Sequence, residues 1–191
     1  MNGLSKARIN ELDKIFKELY PIAKKSVLYA EIETLHRNVQ GWGNIRDVVD
    51  HISHLFQKDG IDYDAEIAHI KDHLQRAIIE SHEMVVEDKL YNLDKRINKP
   101  RILYKITFSE IIAKQLLEDQ VRNIKSHLKK GRMMKSKSKV NDTVNELKKA
   151  EEIIDDMLLD IGTPGEVKYK ALILFLSIIG IIIASIMGIF L

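Results

Sequence analysis

The 191-residue chain contains no cysteine. Disulfides and thiolate metal sites are thereby excluded, which fits a reducing compartment. Proline is nearly as scarce, with only Pro21, Pro100 and Pro164. Each is expected at a joint, because proline removes a backbone donor and breaks a helix interior. Neither charge sign dominates: 30 Lys and Arg stand against 28 Asp and Glu. Bulk electrostatics therefore name no partner, and only local clusters carry information. The opening stretch MNGLSKARINELDK lacks the apolar run of roughly 7–15 residues that a signal peptide needs. H-E-x-x-H, a Gly-rich phosphate loop, a nucleophile elbow and a catalytic-triad signature are missing too. D-G-I-D-Y-D at 59–64 starts like a calcium loop, but its twelfth position is Ile70 in place of the glutamate ligand.

What is present reads as helix. Residues 4–20 and 22–39 have helical character and are expected to bend or break at Pro21. G-W-G at 41–43 should interrupt the pattern, with Asn44 capping a helix that runs to about Lys58. In that helix Ile45, Val48, Val49, Ile52, Leu55 and Phe56 recur at one-face spacing. A long helix is expected from Asp64, as its cap, to Asn98, since no glycine or proline interrupts it. Another should run from about Ile102 to Lys130. A last amphipathic helix, Asn141 to Asp160, offers Val144, Leu147, Ile153, Ile154, Met157, Leu158 and Ile161 for burial. No convincing strand and no internal repeat emerge. The expected fold is all-α, a cytosolic helical bundle with long helices plus one C-terminal transmembrane helix. The expected segments are a bundle at 1–128, a basic joint at 129–139, an amphipathic helix at 140–163, a linker at 164–170 and a membrane helix at 171–191.

The membrane expectation rests on ALILFLSIIGIIIASIMGIFL at 171–191, which carries no charge. A span of ~20 apolar residues crosses a hydrocarbon core of ~30 Å. Lys168, Tyr169 and Lys170 precede it as interfacial anchors. The chain is thus expected to be tail-anchored and single-pass, with its N-terminal part facing the cytoplasm. Gly180, Ala184 and Gly188 repeat every fourth residue, a small-residue stripe that lets helix backbones approach in lipid. Homo-oligomers are expected from it.

Arg46 and Asp47 are followed by His51, an Arg-polar-x3-His pattern. Guanidinium suits phosphate and histidine titrates near neutrality. Arg122 and His127 match the same spacing, and Arg76 and His82 match with one more spacer. Residues five apart on a helix differ by ~140° of rotation, so such a pair converges only across a groove or between protomers. The plain structural reading makes Arg46–Asp50 and Asp47–His51 ordinary i, i+4 pairs. In a helical bundle the pattern resembles the HEPN superfamily, over about residues 20–130. That resemblance implies a dimeric, metal-independent RNase whose arginine stabilises phosphate charge and whose histidine does acid–base work. The family's motif favours a late core helix, which suits Arg122 better than Arg46. With its tail, the chain is similar to the HEPN-like membrane accessory protein of type VI CRISPR systems, which implies RNA or an RNA-guided effector as partner and a role in antiviral defence.

Two further clusters stand out. Glu66, His69 and His73 form E-x2-H-x3-H, which places three metal-ligand types on one side of a helix. A di-iron site would need a second such motif, and none is found. Lys129, Lys130, Arg132, Lys135, Lys137 and Lys139 put six cations into eleven residues without an acid. Such a stretch suits anionic lipid or a nucleic-acid backbone. It lacks the aromatic side chains that stack on single strands. The sequence leans away from an enzyme, with no cofactor and no small-molecule substrate expected. It favours a self-associating membrane effector that forms or gates a pore, against a membrane-tethered RNase or a passive membrane adaptor.

Overall fold

The computed structural model describes residues 5–57, 60–98, 112–135 and 139–161, with scattered positions between Tyr169 and Ile179. Every element among the described residues is helical. The helices are α1 (Lys6–Lys14), α2 (Tyr20–Thr34), α3 (Val39–Gln57), α4 (Tyr63–Asn98), α5 (Ile112–Lys135) and α6 (Val140–Ile161), and a π-helical turn, Ile15–Leu19, joins α1 to α2.

The break expected at Pro21 takes the form of that π turn. Pro21 sits in the first turn of α2, where a missing N–H costs nothing, and the wider turn before it re-registers the backbone bonds. The G-W-G break expected at 41–43 does not occur. α3 begins at Val39 and runs through both glycines. Its cap is Asn38, not Asn44: Gly41 N donates to Asn38 Oδ1 at 2.9 Å. Asn38 is buried. Its own N–H donates to Glu31 Oε1 at 3.0 Å, and its side-chain amide donates to Ser81 Oγ at 2.8 Å. Likewise α4 is capped by Asp62, not Asp64, because Asp62 Oδ1 accepts from the N–H groups of Asp64 and Ala65. The expected length of α4 holds. The joint expected at 129–139 is largely helical, since α5 continues through Gly131 to Lys135.

α4 is the spine. Its 36 residues span ~54 Å at 1.5 Å each, long enough to serve two cores. Tyr63, Ile67, Ile70, Leu74, Ala77 and Ile78 pack with Ala23 and Val27 of α2 and Ile45 and Val48 of α3. Ile79, Val86 and Leu93 pack instead with Ile124 and Leu128 of α5 and with Leu147, Ala150, Ile154 and Met157 of α6. The change of partner falls between adjacent residues, Ile78 and Ile79. Burying one such side chain is worth roughly 1.5–3 kcal/mol. The amphipathic helix expected at 140–163 therefore packs into the bundle. In α3 the apolar face is narrower than expected: Val49 and Phe56 are exposed, because Ile45, Val48, Ile52 and Leu55 already fill the contact with α4.

A charged knot ties the two halves. Lys89 Nζ reaches Glu151 Oε1 and Asp155 Oδ2, each at 2.8 Å, and Glu33 Oε2 at 3.4 Å. Tyr29 Oη donates to the same Glu151 oxygen. Burial opposes the charge on Lys89, but the bonds to Asp155 and Glu151 outweigh it and hold its pKa above the ordinary lysine value. Three helices, α2, α4 and α6, meet at this one ammonium.

No helix among the described residues is long and apolar enough to cross a membrane. The segment expected to do so, with Gly180, Ala184 and Gly188, lies almost wholly outside the described residues. Leu172, Ile173 and Leu176, which are described, are helical and exposed.

Candidate functional site

α3 and α4 form an antiparallel hairpin, because the residues that bridge them pair in opposite order. Asn44 meets His73 and Glu80 near one end, and His51 meets Glu66 near the other. Along this seam lie four of the chain's seven histidines. His51 and His54 are one turn apart on α3; Glu66, His69 and His73 follow at one-turn spacings on α4.

His51 is the centre. Its Nδ1–H donates to Glu66 Oε2 at 2.6 Å. Its ring stacks on His69 at 5.0 Å between centroids, lies 5.1 Å from His73, and meets His54 edge-on at 5.9 Å. His54 Nδ1 lies 3.6 Å from the other Glu66 oxygen. The bond from His51 holds the Glu66 carboxyl below the usual carboxylate range, against burial. His73 Nδ1–H donates to Asn44 Oδ1 at 3.1 Å and lies 3.9 Å from Asp47 Oδ2. Burial pushes His73 below the ordinary histidine range, with Asp47 pulling the other way.

Arg46 and His51 are not brought together as a working pair. The Arg46 guanidinium bonds its neighbour Asp47 at 2.9 and 3.2 Å on an exposed surface. The expected i, i+4 partners are also not the ones used: Arg46 takes Asp47, not Asp50, and His51 takes Glu66 across the hairpin, not Asp47. Each of these groups finds a better-placed acid. The second pair repeats the arrangement. Arg122 meets Asp119 at 3.3 Å, while His127 Nδ1–H donates across helices to Glu146 Oε2 at 2.8 Å. In the third, Arg76 meets Asp72 at 2.8 Å, and His82 is buried beside the Tyr29 ring with its Nδ1 unpartnered.

Of the metal-ligand candidates Glu66, His69 and His73, Glu66 has its donor atoms grouped with those of two histidines, and these are His51 and His54. One donor atom from each of Glu66, His51 and His54 lies within 4.8 Å of the others. His69 and His73 stand against His51 as ring neighbours. His54 is absent from the sequence candidates because it meets Glu66 only across the hairpin.

The basic residues are spread along a helix and into the next. Lys129 and Lys130 are exposed on α5. Arg132 is drawn to Glu87 of α4 at 2.9 Å, and Lys139 stands 3.9 Å from Asp142. Lys135 ends α5, and Lys137 lies outside the described residues. A groove of about 1220 Å3, lined in part by Lys25, Tyr29, His82, Lys139 and Lys148, opens between α2, α4 and the start of α6. It contains none of the four seam histidines, so this groove and the histidine cluster are separate.

No family model matches the chain, and neither does any curated protein or solved structure.

Proposed function

We propose that this protein is a membrane-tethered, self-associating helical effector, held by residues 171–191 with its bundle facing the cytoplasm, and that it acts through assembly at the membrane, as a pore or its gate. The observation that carries the self-association is the exposed apolar corner where α2 meets α3. Leu28, Ile32 and Leu35 follow at i, i+4 and i+7, and Ile32 and Leu35 are 71% and 87% exposed. Leu35 adopts a left-handed backbone, φ 56°, a conformation that costs a non-glycine residue ~1–2 kcal/mol. A large apolar side chain held out to solvent by a strained backbone suits a surface that is covered in an assembly. The uncharged run at 171–191 supports the tether, and its Gly180, Ala184 and Gly188 stripe supports contact between tails.

The rival is a membrane-tethered HEPN-type RNase. It is less well supported, since the arginine and histidine of both expected pairs are each engaged by separate acids. It requires Arg46 or Arg122 to leave its neighbour and meet a histidine from another protomer.

The test is the mass of the detergent-purified protein by light scattering, for the unmodified chain and for Ile32→Glu. An oligomer that Ile32→Glu reduces is expected. A strict monomer overturns self-association. Full function in a chain lacking residues 171–191 overturns the tether. RNA cleavage that is lost in Arg46→Ala/His51→Ala would put the RNase in its place.

A further inference from the structure

We propose that the α3–α4 seam is a divalent transition-metal site formed by His51, His54 and Glu66. Two imidazoles and one carboxylate, with no thiolate in the chain, make a borderline donor set. It suits Zn2+, Co2+ or Ni2+, whereas Ca2+ and Mg2+ require oxygen ligands.

Geometry agrees. A tetrahedral ion with bonds of ~2.0–2.1 Å keeps its ligand atoms roughly 3.3 Å apart. The three donors already lie within 4.8 Å of one another, and none belongs to a fully exposed side chain. The two Glu66 oxygens are divided between the histidines, one 2.6 Å from His51 and the other 3.6 Å from His54. A cation between the three would replace the His51–Glu66 hydrogen bond with two coordinate bonds. Both histidines come from one turn of α3 and Glu66 from α4, so the three donors converge across the seam. Three protein ligands leave a fourth position open. His69, one turn from Glu66, stacks on the His51 ring.

The surroundings hold the site in shape. Asn44 and Asp47 of α3 fix His73 from the opposite helix, and the His73 ring backs that of His51 at 5.1 Å. Metal bound here would pin α3 to α4 within a few residues of the link between them. The site is independent of the membrane tether and of self-association.

The experiment uses the full chain, expressed without a histidine tag, purified in detergent and stripped with chelator. Co2+ is titrated while its visible d–d absorption is recorded, and Zn2+ binding is read by competition against the Co2+ signal. One equivalent per chain is expected, with Zn2+ displacing Co2+ and raising the melting temperature. Glu66→Gln and His54→Ala should each weaken binding at least ~10-fold, as loss of metal-supporting residues does elsewhere. His127→Ala, which breaks the comparable His–Glu pair between α5 and α6, should bind as the unmodified chain does. His54 lies at the surface side of the cluster, and circular dichroism shows whether each variant retains its helices. If the unmodified chain gives no d–d band, the site does not exist. The same conclusion follows if helical His54→Ala and Glu66→Gln bind Co2+ undiminished, or if His127→Ala weakens binding as much as they do.

Discussion

Gly41 and Gly43 lie two residues apart on α3 and meet opposite surroundings. A Cβ on Gly41 would stand 2.7 Å from Val27 Cγ2 and 2.7 Å from Asn38 Nδ2. Neither neighbour can yield. Val27 is fully buried, and the Asn38 amide is held by Gly41 N and Ser81 Oγ. A Cβ on Gly43 would meet nothing within 4 Å. Gly41→Ala is therefore expected to destabilise by about 1–3 kcal/mol through overpacking. Gly43→Ala should stabilise by about 0.5–1 kcal/mol through helix propensity alone. Urea denaturation of the two variants checks this, and shifts of the same sign would contradict it. The pair also explains why G-W-G reads as a helix break. Two glycines in three residues weaken a helix by propensity, and the signal that overrides it is the close approach of α2. That approach is a tertiary contact, invisible in residues 41–43 themselves. The same holds for Asn38, whose capping role depends on α3 starting before the glycines.

At the scale of the element, the apolar face of a helix was legible, and polar partners across helices were not. The apolar positions of α6 could be read from spacing, and Leu147, Ile154 and Met157 are buried as that spacing implies. The acid that engages His127 could not, because Glu146 is nineteen positions away. Glu146 accepts from Lys149 Nζ at 2.7 Å and from His127 at 2.8 Å. These bonds, with Lys149 first, lower its pKa from 4.5 to about 2. A carboxyl depressed by folding stabilises the protein above its unfolded pKa, and that contribution is lost as pH falls through the folded value. The α5–α6 pairing should accordingly lose stability between about pH 4.5 and pH 2. Melting temperatures of the unmodified chain and of Glu146→Gln, compared across that window, report it. The gap between them should be widest above pH 4.5 and close toward pH 2. A gap that stays constant would mean that the carboxylate's charge contributes nothing.

The whole molecule turns on α4. Its length was legible because no glycine or proline interrupts residues 63–98, but its double duty was not, since an apolar residue does not announce which neighbour will cover it. Ile78 and Ile79 are adjacent and serve different cores, and Lys89 ties α2 to α6 through α4. One continuous helix shared by two cores transmits loss of either to the other, because unfolding half of it exposes backbone and apolar surface on the remainder. Trp42, the single tryptophan, reports only the first core, where it packs. Leu147 is fully buried in the second. Leu147→Ala should cost about 2–5 kcal/mol. If the bundle unfolds as one unit, this substitution moves the Trp42 fluorescence transition in urea by the same amount as the helical circular-dichroism transition, although the two residues belong to different cores. If the halves are independent, Trp42 fluorescence keeps its midpoint while circular dichroism splits into two steps.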